Sequence, residues 1–153
     1  MTGPIKTLAQ DVPPEWLDQN GHMNEARYLQ AFGAATDRFL EIIGCDGDYI
    51  AQGHSYFTAE THIRHLDEAK AGDHIRVETL CLRGEGAKLH LFHQMWIGTR
   101  LIATGEHFLL HVSLATRRTT APSDTVAAAL SRIAAAHAGL KRPGGIGRAI
   151  GEA

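Results

Sequence analysis

The chain has 153 residues and a mass of 16.6 kDa, which is the size of one domain. With 44% hydrophobic and 21% charged residues it has the composition of a globular protein and not of a disordered one. Its net charge of -2 argues against nucleic acid as a partner, because proteins that bind the phosphate backbone are usually basic.

Neither a disulfide framework nor a membrane anchor is indicated. Cys45 and Cys81 have no CxxC spacing, so the sequence predicts no cysteine zinc site. The first ten residues lack the run of about 7–15 apolar residues that marks an export signal, and no segment approaches the length of a membrane span. We therefore expect a cytoplasmic protein without a membrane partner.

The first half of the chain predicts one strand and one long helix. Residues 4–12 favour a short strand, which Pro13 and Pro14 end because proline has no amide hydrogen to donate. Over residues 24–43, apolar side chains recur at helical spacing. The stripe consists of Tyr28, Leu29, Phe32, Ala35, Phe39, Leu40 and Ile43. Gly44 follows it, as is common just beyond a helix end.

The second half predicts four strands and a second helix. Apolar residues alternate over residues 55–66, 74–83, 88–97 and 101–114, and the short turns between most of these runs favour antiparallel neighbours. Residues 123–138 are rich in alanine and begin at Ser123, a residue that caps helices well. The glycine- and proline-rich segment from residue 139 is expected to be loosely ordered. A single long apolar helix needs a sheet curved around it, so we predict an α+β fold.

The densest candidate chemistry lies where the long helix begins. Asp18, Asn20, His22 and Asn24 alternate along the chain, and Gly21 allows a ligand to approach the backbone. The first turn of the helix offers free amides and the positive end of its dipole, which stabilise an oxyanion. A carboxylate beside such a turn fits acyl transfer or hydrolysis. In the alternative interpretation, Asp18 or Asn24 only caps the helix and His22 is a surface residue.

The block WLDQNGHMNEARY, followed by a long helix and long strands, resembles the hotdog-fold acyl-CoA thioesterases of the 4-hydroxybenzoyl-CoA thioesterase type. Its D-x-N-x-H-x-N-x-x-x-Y pattern is also similar to that of plant acyl-carrier-protein thioesterases. The strings NGHMNEARYLQAFG, HSYFTAETHIRHLDEAKAG and LHLFH are more closely similar to the thioesterase domains fused to some carnitine dehydrogenases, which also occur alone as betainyl-CoA thioesterases.

This resemblance implies a five-stranded antiparallel sheet wrapped around the long helix, with an additional C-terminal helix. Residues 1–140 would form the domain and residues 141–153 the tail. It further implies an acyl-CoA substrate, hydrolysis without a cofactor, and a homodimer or dimer of dimers with active sites between subunits. The expected substrate is betainyl-CoA or another short acyl-CoA.

The resemblance also assigns roles to individual residues. Asp18 matches the catalytic aspartate, acting as nucleophile or as general base on water. Backbone amides near Gly21, Asn24 and Glu25 would polarise the thioester carbonyl. His22 and Asn24 match the catalytic motif, and their individual roles stay open.

Asn20 and Tyr28 are the motif residues expected to bind substrate. A betainyl group adds a trimethylammonium, which is usually held over aromatic faces beside a carboxylate. The aromatic candidates are Trp16, Tyr28, Tyr49, Tyr56, Phe57 and Trp96, although core packing also explains such residues. Tyr56 and Glu60 are favoured because four positions along a strand keep both on one face, about 13 Å apart. Glu60 either reaches the site from the partner subunit or pairs with Arg64 on the surface.

Ten histidines raise the question of a metal site. The pairs His62/His65 and His90/His93 are three residues apart, which on a strand places them on opposite faces. His107 and His111 share a face but are about 13 Å apart, too far for one ion. We therefore predict no metal site. His93, in an apolar row, is expected to be a hydrogen-bonded core residue.

Hydrolysis has two alternatives. A non-catalytic acyl-CoA-binding module would keep the same fold and bind acyl-CoA without releasing thiol. A hotdog dehydratase or hydratase is disfavoured, because no histidine of this sequence lies in a proline- and glycine-rich segment like that of those enzymes.

Overall fold

The structure, a computed structural model, describes residues 3–152. The helices and strands are β1 (Ile5–Asp11), a 3₁₀ turn (Pro14–Trp16), α1 (Glu25–Ile42), α2 (Gly47–Ala51), β2 (His54–His65), β3 (His74–Glu85), β4 (Lys88–Ile97), β5 (Arg100–Ser113) and α3 (Asp124–Ala138). Every predicted strand and helix is present. The short helix α2 was not predicted; its first turn is capped by Asp46, whose carboxylate accepts the Tyr49 amide at 3.0 Å.

The five strands form one antiparallel sheet in the order β1-β3-β4-β5-β2. The hotdog architecture expected from the family resemblance is therefore confirmed. We call the face toward α1 the inner face and the opposite face the outer face. In this order β2 is an edge strand, and its central residues 57–61 are exposed.

The helix α1 packs on the inner face through the predicted stripe. Tyr28, Phe32, Phe39 and Ile43 are at most 4% exposed, because residues at these spacings lie on one side of a helix. Leu29 does not belong to the buried stripe, contrary to the prediction; it is 49% exposed.

The helix α3 covers the part of β3 that β1 leaves without a partner. The strand β1 pairs only with β3 residues 74–79, so the Cys81 amide lies at a free edge. It donates to Nδ1 of His137 on α3 at 2.9 Å. Leu130 packs so closely on Gly84 that a Cβ there would lie 2.5 Å from the leucine Cγ. These contacts fix α3 against the sheet edge and satisfy a buried donor.

A register shift in β2 decides which of its side chains face α1. The pairing with β5 slips between Thr58 and Glu60, as at a β-bulge. Thr58 pairs with buried Leu109 on the inner face, whereas Glu60 pairs with Phe108, and both line an outer-face cavity. Every β2 residue after the bulge therefore points to the opposite face of the sheet from the one it would have in a regular strand.

The segment after α3 contains turns but neither helix nor strand up to residue 152. Its Gly147 amide donates to the Glu106 carboxylate at 2.7 Å on the outer face. No helix within residues 3–152 combines the length and apolar character needed to cross a membrane.

Candidate active site

The loop before α1 is a tight hairpin that holds Asp18. The Asn24 amide donates to the Trp16 carbonyl at 2.9 Å, and the Asp18 amide donates to the His22 carbonyl at 2.8 Å. Gly21 has a φ of +79°, a conformation that glycine adopts at little cost, and this lets the chain reverse. The hairpin therefore brings Asp18 back beside the residues that begin α1.

One oxygen of Asp18 is fixed and the other is free. Oδ1 accepts the Asn20 amide at 2.9 Å and lies 3.4 Å from the His22 amide. Oδ2 has no hydrogen-bond partner among residues 3–152. Because Asp18 is half-buried, the loop orients its carboxylate while leaving one oxygen for chemistry.

Only one of the three predicted oxyanion amides is available. The Gly21 amide donates to the Asp18 carbonyl at 3.0 Å and the Asn24 amide to Trp16, so both predictions are corrected. Asn24 is the helix cap: its Oδ1 accepts the Ala26 amide at 2.9 Å. The Glu25 amide is left without a partner in the described part of the chain, and it lies in the first turn, where an anion is stabilised.

The other three motif residues, His22, Asn20 and Tyr28, differ in their burial. His22 directs Nε2 to the Glu68 carboxylate at 3.1 Å, near the surface. Asn20 is exposed in the same loop. Tyr28 is 4% exposed, and its ring packs edge-on against His65 with centroids 4.8 Å apart. Burial raises the pKa of Tyr28. The structure thus places the Tyr28 ring in the core.

Tyr56 and Glu60 do not share a face, which corrects the prediction that they bind one ligand. Tyr56 is 5% exposed and lies on the inner face, packed against His111. Burial raises its pKa. Glu60 lies on the outer face because of the bulge between them. Glu60 also forms no ion pair with Arg64 among residues 3–152.

The predicted histidine faces are confirmed. His90 lies on the outer face, 2.7 Å from Glu106. His93 lies fully buried on the inner face, hydrogen-bonded at 2.8 Å to both Thr36 and Thr79. Burial lowers its pKa well below 6.5, so its ring is neutral at pH 7. Among the described residues, no group of three or more metal-ligating side chains comes together.

The sequence did not predict a cavity of about 320 Å³ between α1 and the edge strand β2, which we call the α1–β2 cavity. Its lining residues are Leu29, Gly33, Thr36, Asp37, Thr58, Thr61 and His107. The available signal was the spacing of Leu29, Gly33 and Asp37, which recur every four residues beside the apolar stripe and so form a second helix face.

The chain matches the family model of the Thioesterase-like superfamily over residues 12–130. It therefore belongs to that superfamily. It is 65% identical over 150 residues to the L-carnitine dehydrogenase/betainyl-CoA thioesterase of Ruegeria pomeroyi, covering 98% of this chain and 31% of that protein. The chain thus spans about a third of the length of this relative. It is also 38% identical to the betainyl-CoA thioesterase of Pseudomonas aeruginosa, covering 99% of this chain and 97% of that protein.

A solved structure supports the fold over the full length of the chain. A Staphylococcus aureus protein crystallised in complex with CoA superimposes with a TM-score of 0.89 at 22% sequence identity, covering 100% of this chain and 99% of that one. At this identity the similarity is one of fold.

Proposed function

We propose that this chain hydrolyses an acyl-CoA thioester, with Asp18 as the catalytic carboxylate and the Glu25 amide as an oxyanion donor. The proposal depends on the difference between the two carboxylate oxygens of Asp18. Oδ1 accepts hydrogen bonds from loop amides, and Oδ2 has no partner among residues 3–152. A fixed carboxylate next to the open first turn of a helix is suited to attack on a carbonyl whose oxygen becomes negative.

The reaction needs water and no cofactor. Asp18 Oδ2 either attacks the thioester carbon, forming an anhydride that water then opens, or removes a proton from the attacking water. In both routes the Glu25 amide donates to the carbonyl oxygen as its charge grows. The sulfur leaves as the CoA thiolate, which takes up a proton.

Betainyl-CoA is the substrate we propose. The relatives from Ruegeria pomeroyi and Pseudomonas aeruginosa, at 65% and 38% identity, carry this substrate in their names.

We also propose that the chain works in the cytoplasm. The two cysteines are free and buried, which is compatible with a reducing cytoplasm.

We further propose that the working unit is a homodimer, alone or paired into a dimer of dimers. The strand β2 is a 12-residue sheet edge with an exposed centre, and unprotected edges of this length pair with other strands. A second copy of the chain, related by a two-fold axis, would continue the sheet and bury the α1–β2 cavity at the interface.

The test replaces Asp18 with Asn, which retains an oxygen for the loop amides. We expect thiol release from betainyl-CoA to fall by about 10²–10⁴-fold, the usual contribution of such a group. Asp48→Asn, at an exposed position of α2, is the matched control and should keep full turnover. Full activity in Asp18→Asn would refute the assignment, and binding of acyl-CoA without any thiol release by the unaltered protein would favour the non-catalytic module.

A single turnover in ¹⁸O-labelled water tests for direct attack. If Asp18 forms an anhydride and water opens it at the Asp18 carbonyl, the label enters the Asp18 carboxylate and the released acid is unlabelled, whereas the general-base route puts the label only in the released acid. Label in Asp18 therefore establishes direct attack.

A further inference from the structure

We infer that Glu68 is a positioning residue for the hydrolysis: it holds the side chain of His22, and through His22 it fixes the hairpin that carries Asp18. Glu68 lies in the segment between β2 and β3, residues 66–73, which we call the β2–β3 loop. The inference rests on the proposed thioesterase function and deepens it. It gives the His22 side chain, whose role in the motif is open, a defined task.

The main chain of His22 is bonded to Asp18 in both directions. The His22 carbonyl accepts the Asp18 amide at 2.8 Å, and the His22 amide lies 3.4 Å from Asp18 Oδ1. A shift of His22 therefore moves the catalytic carboxylate relative to the free Glu25 amide. Such shifts matter, because a displacement of about 1 Å between reacting groups slows a reaction strongly.

The hairpin rests on the β2–β3 loop through two neighbouring contacts. Nε2 of His22 lies 3.1 Å from Oε2 of Glu68. The Met23 amide donates to the Ala69 carbonyl at 2.8 Å, and both of these residues are buried, at 4% and 0% exposure. Successive residues of the hairpin thus meet successive residues of the loop. The backbone bond fixes the hairpin at Met23, and Glu68 restrains the residue that is bonded to Asp18.

The β2–β3 loop can act as a support because β5 holds its backbone. The amides of Leu66 and Asp67 donate to the Ile102 carbonyl at 2.9 and 3.1 Å. Arg100 donates to the Glu68 carbonyl at 3.2 Å and pairs with the Asp67 carboxylate at 2.8 Å. The other oxygen of Asp67 accepts the Glu68 amide at 2.8 Å. Both backbone groups of Glu68 are therefore bonded, so its side chain extends from a fixed point.

The exposure of the pair sets the size of the expected effect. The side chains of His22 and Glu68 are 34% and 62% exposed, and an ion pair in contact with water is weak. Loss of the Glu68 charge should therefore slow the reaction by about two- to fivefold and not abolish it.

The first test is Glu68→Gln, which keeps the size of the side chain and removes its charge. For betainyl-CoA we expect kcat to fall by about two- to fivefold, with KM nearly unchanged, because Glu68 acts on the catalytic carboxylate and not on the bound substrate. The matched control is Glu41→Gln. Glu41 pairs with Arg38 at 3.1 Å near the other end of α1, where both side chains are about half exposed. This control should leave kcat and KM unchanged.

The second test asks whether Glu68 acts through His22. We expect His22→Ala to lower kcat by about the same factor as Glu68→Gln. The double variant should be no slower than either single variant, because each change removes the same contact. A structural effect of Glu68 elsewhere in the β2–β3 loop would instead lower kcat by the same factor with and without the His22 ring.

Thermal unfolding of each variant establishes that it is folded, and His22→Gln replaces His22→Ala if the latter is not. An unchanged kcat in folded Glu68→Gln overturns this inference, and so do additive effects in the double variant. A much larger loss in the folded His22 variant also overturns it, because His22 would then have a task of its own in the reaction. A rise in KM alone would mean that Glu68 contacts the substrate. Failure of the unaltered protein to hydrolyse betainyl-CoA or other short acyl-CoA thioesters overturns the proposed function instead.

Discussion

The buried ring of His107 makes the stability of the fold depend on pH. Burial lowers its pKa from 6.5 to about 4, so the folded protein keeps the ring neutral while the unfolded chain binds a proton below about pH 6.5. The unfolded state is therefore favoured as the pH falls. Above pH 6.5 the histidine does not lower the free energy of unfolding. Between pH 6.5 and pH 4 it lowers that free energy by about 1.4 kcal/mol per pH unit, which amounts to about 3 kcal/mol.

The perturbation that tests this is His107→Gln, which keeps a polar side chain near the Thr61 hydroxyl, 3.2 Å from His107 Nδ1, but cannot titrate. The free energy of unfolding is measured by urea titration at several pH values from about 7.5 to 4. We expect the variant to be less stable at neutral pH, because it disturbs a packed site. That deficit should shrink by about 3 kcal/mol as the pH falls.

The comparison between the two proteins isolates the histidine, because protonation of the surface carboxylates affects both alike. A difference in unfolding free energy that stays constant from pH 7.5 to 4 would refute the reasoning. It would mean that His107 binds its proton equally well in the folded and unfolded states.

Two further predictions concern packing and capping. Gly105→Ala should destabilise the fold by about 1–3 kcal/mol, because the new Cβ would lie 2.7 Å from the Phe32 ring. The control is Gly144→Ala, where a Cβ meets nothing within 4 Å. Equal melting temperatures of the two variants would contradict the prediction. Ser123→Ala should cost about 1 kcal/mol, because the hydroxyl caps α3 by accepting the Val126 amide at 3.3 Å, whereas Ser123→Asp should retain most of the stability in chemical denaturation.

The strands and long helices were predictable because their signals are local. The spacing of Phe32, Ala35 and Phe39 requires a helix with one buried side, and alternating residues on β4 place His93 inside and His90 outside. The short helix α2 was missed because five residues carry too little periodicity to be recognised.

The candidate site was only partly predictable. The loop from Asp18 to Asn24 and its place before the helix were evident in the sequence, and the structure adds which amides are free. That Gly21 and Asn24 donate their amides within the hairpin, leaving Glu25, depends on how the loop folds back on Trp16. No periodic pattern encodes such a reversal.

The sequence by itself determined the order of the strands and long helices along the chain, the buried stripe of α1 and the loop that carries Asp18. These features depend on residues that are close along the chain. Tertiary structure decided which side chains share a surface. One extra residue at the bulge in β2 separates Tyr56 from Glu60, since a shift of one residue reverses the facing of a strand. Asp37 and His107, 70 positions apart in the printed sequence, line one cavity because a helix packs against a sheet edge, which local patterns do not specify.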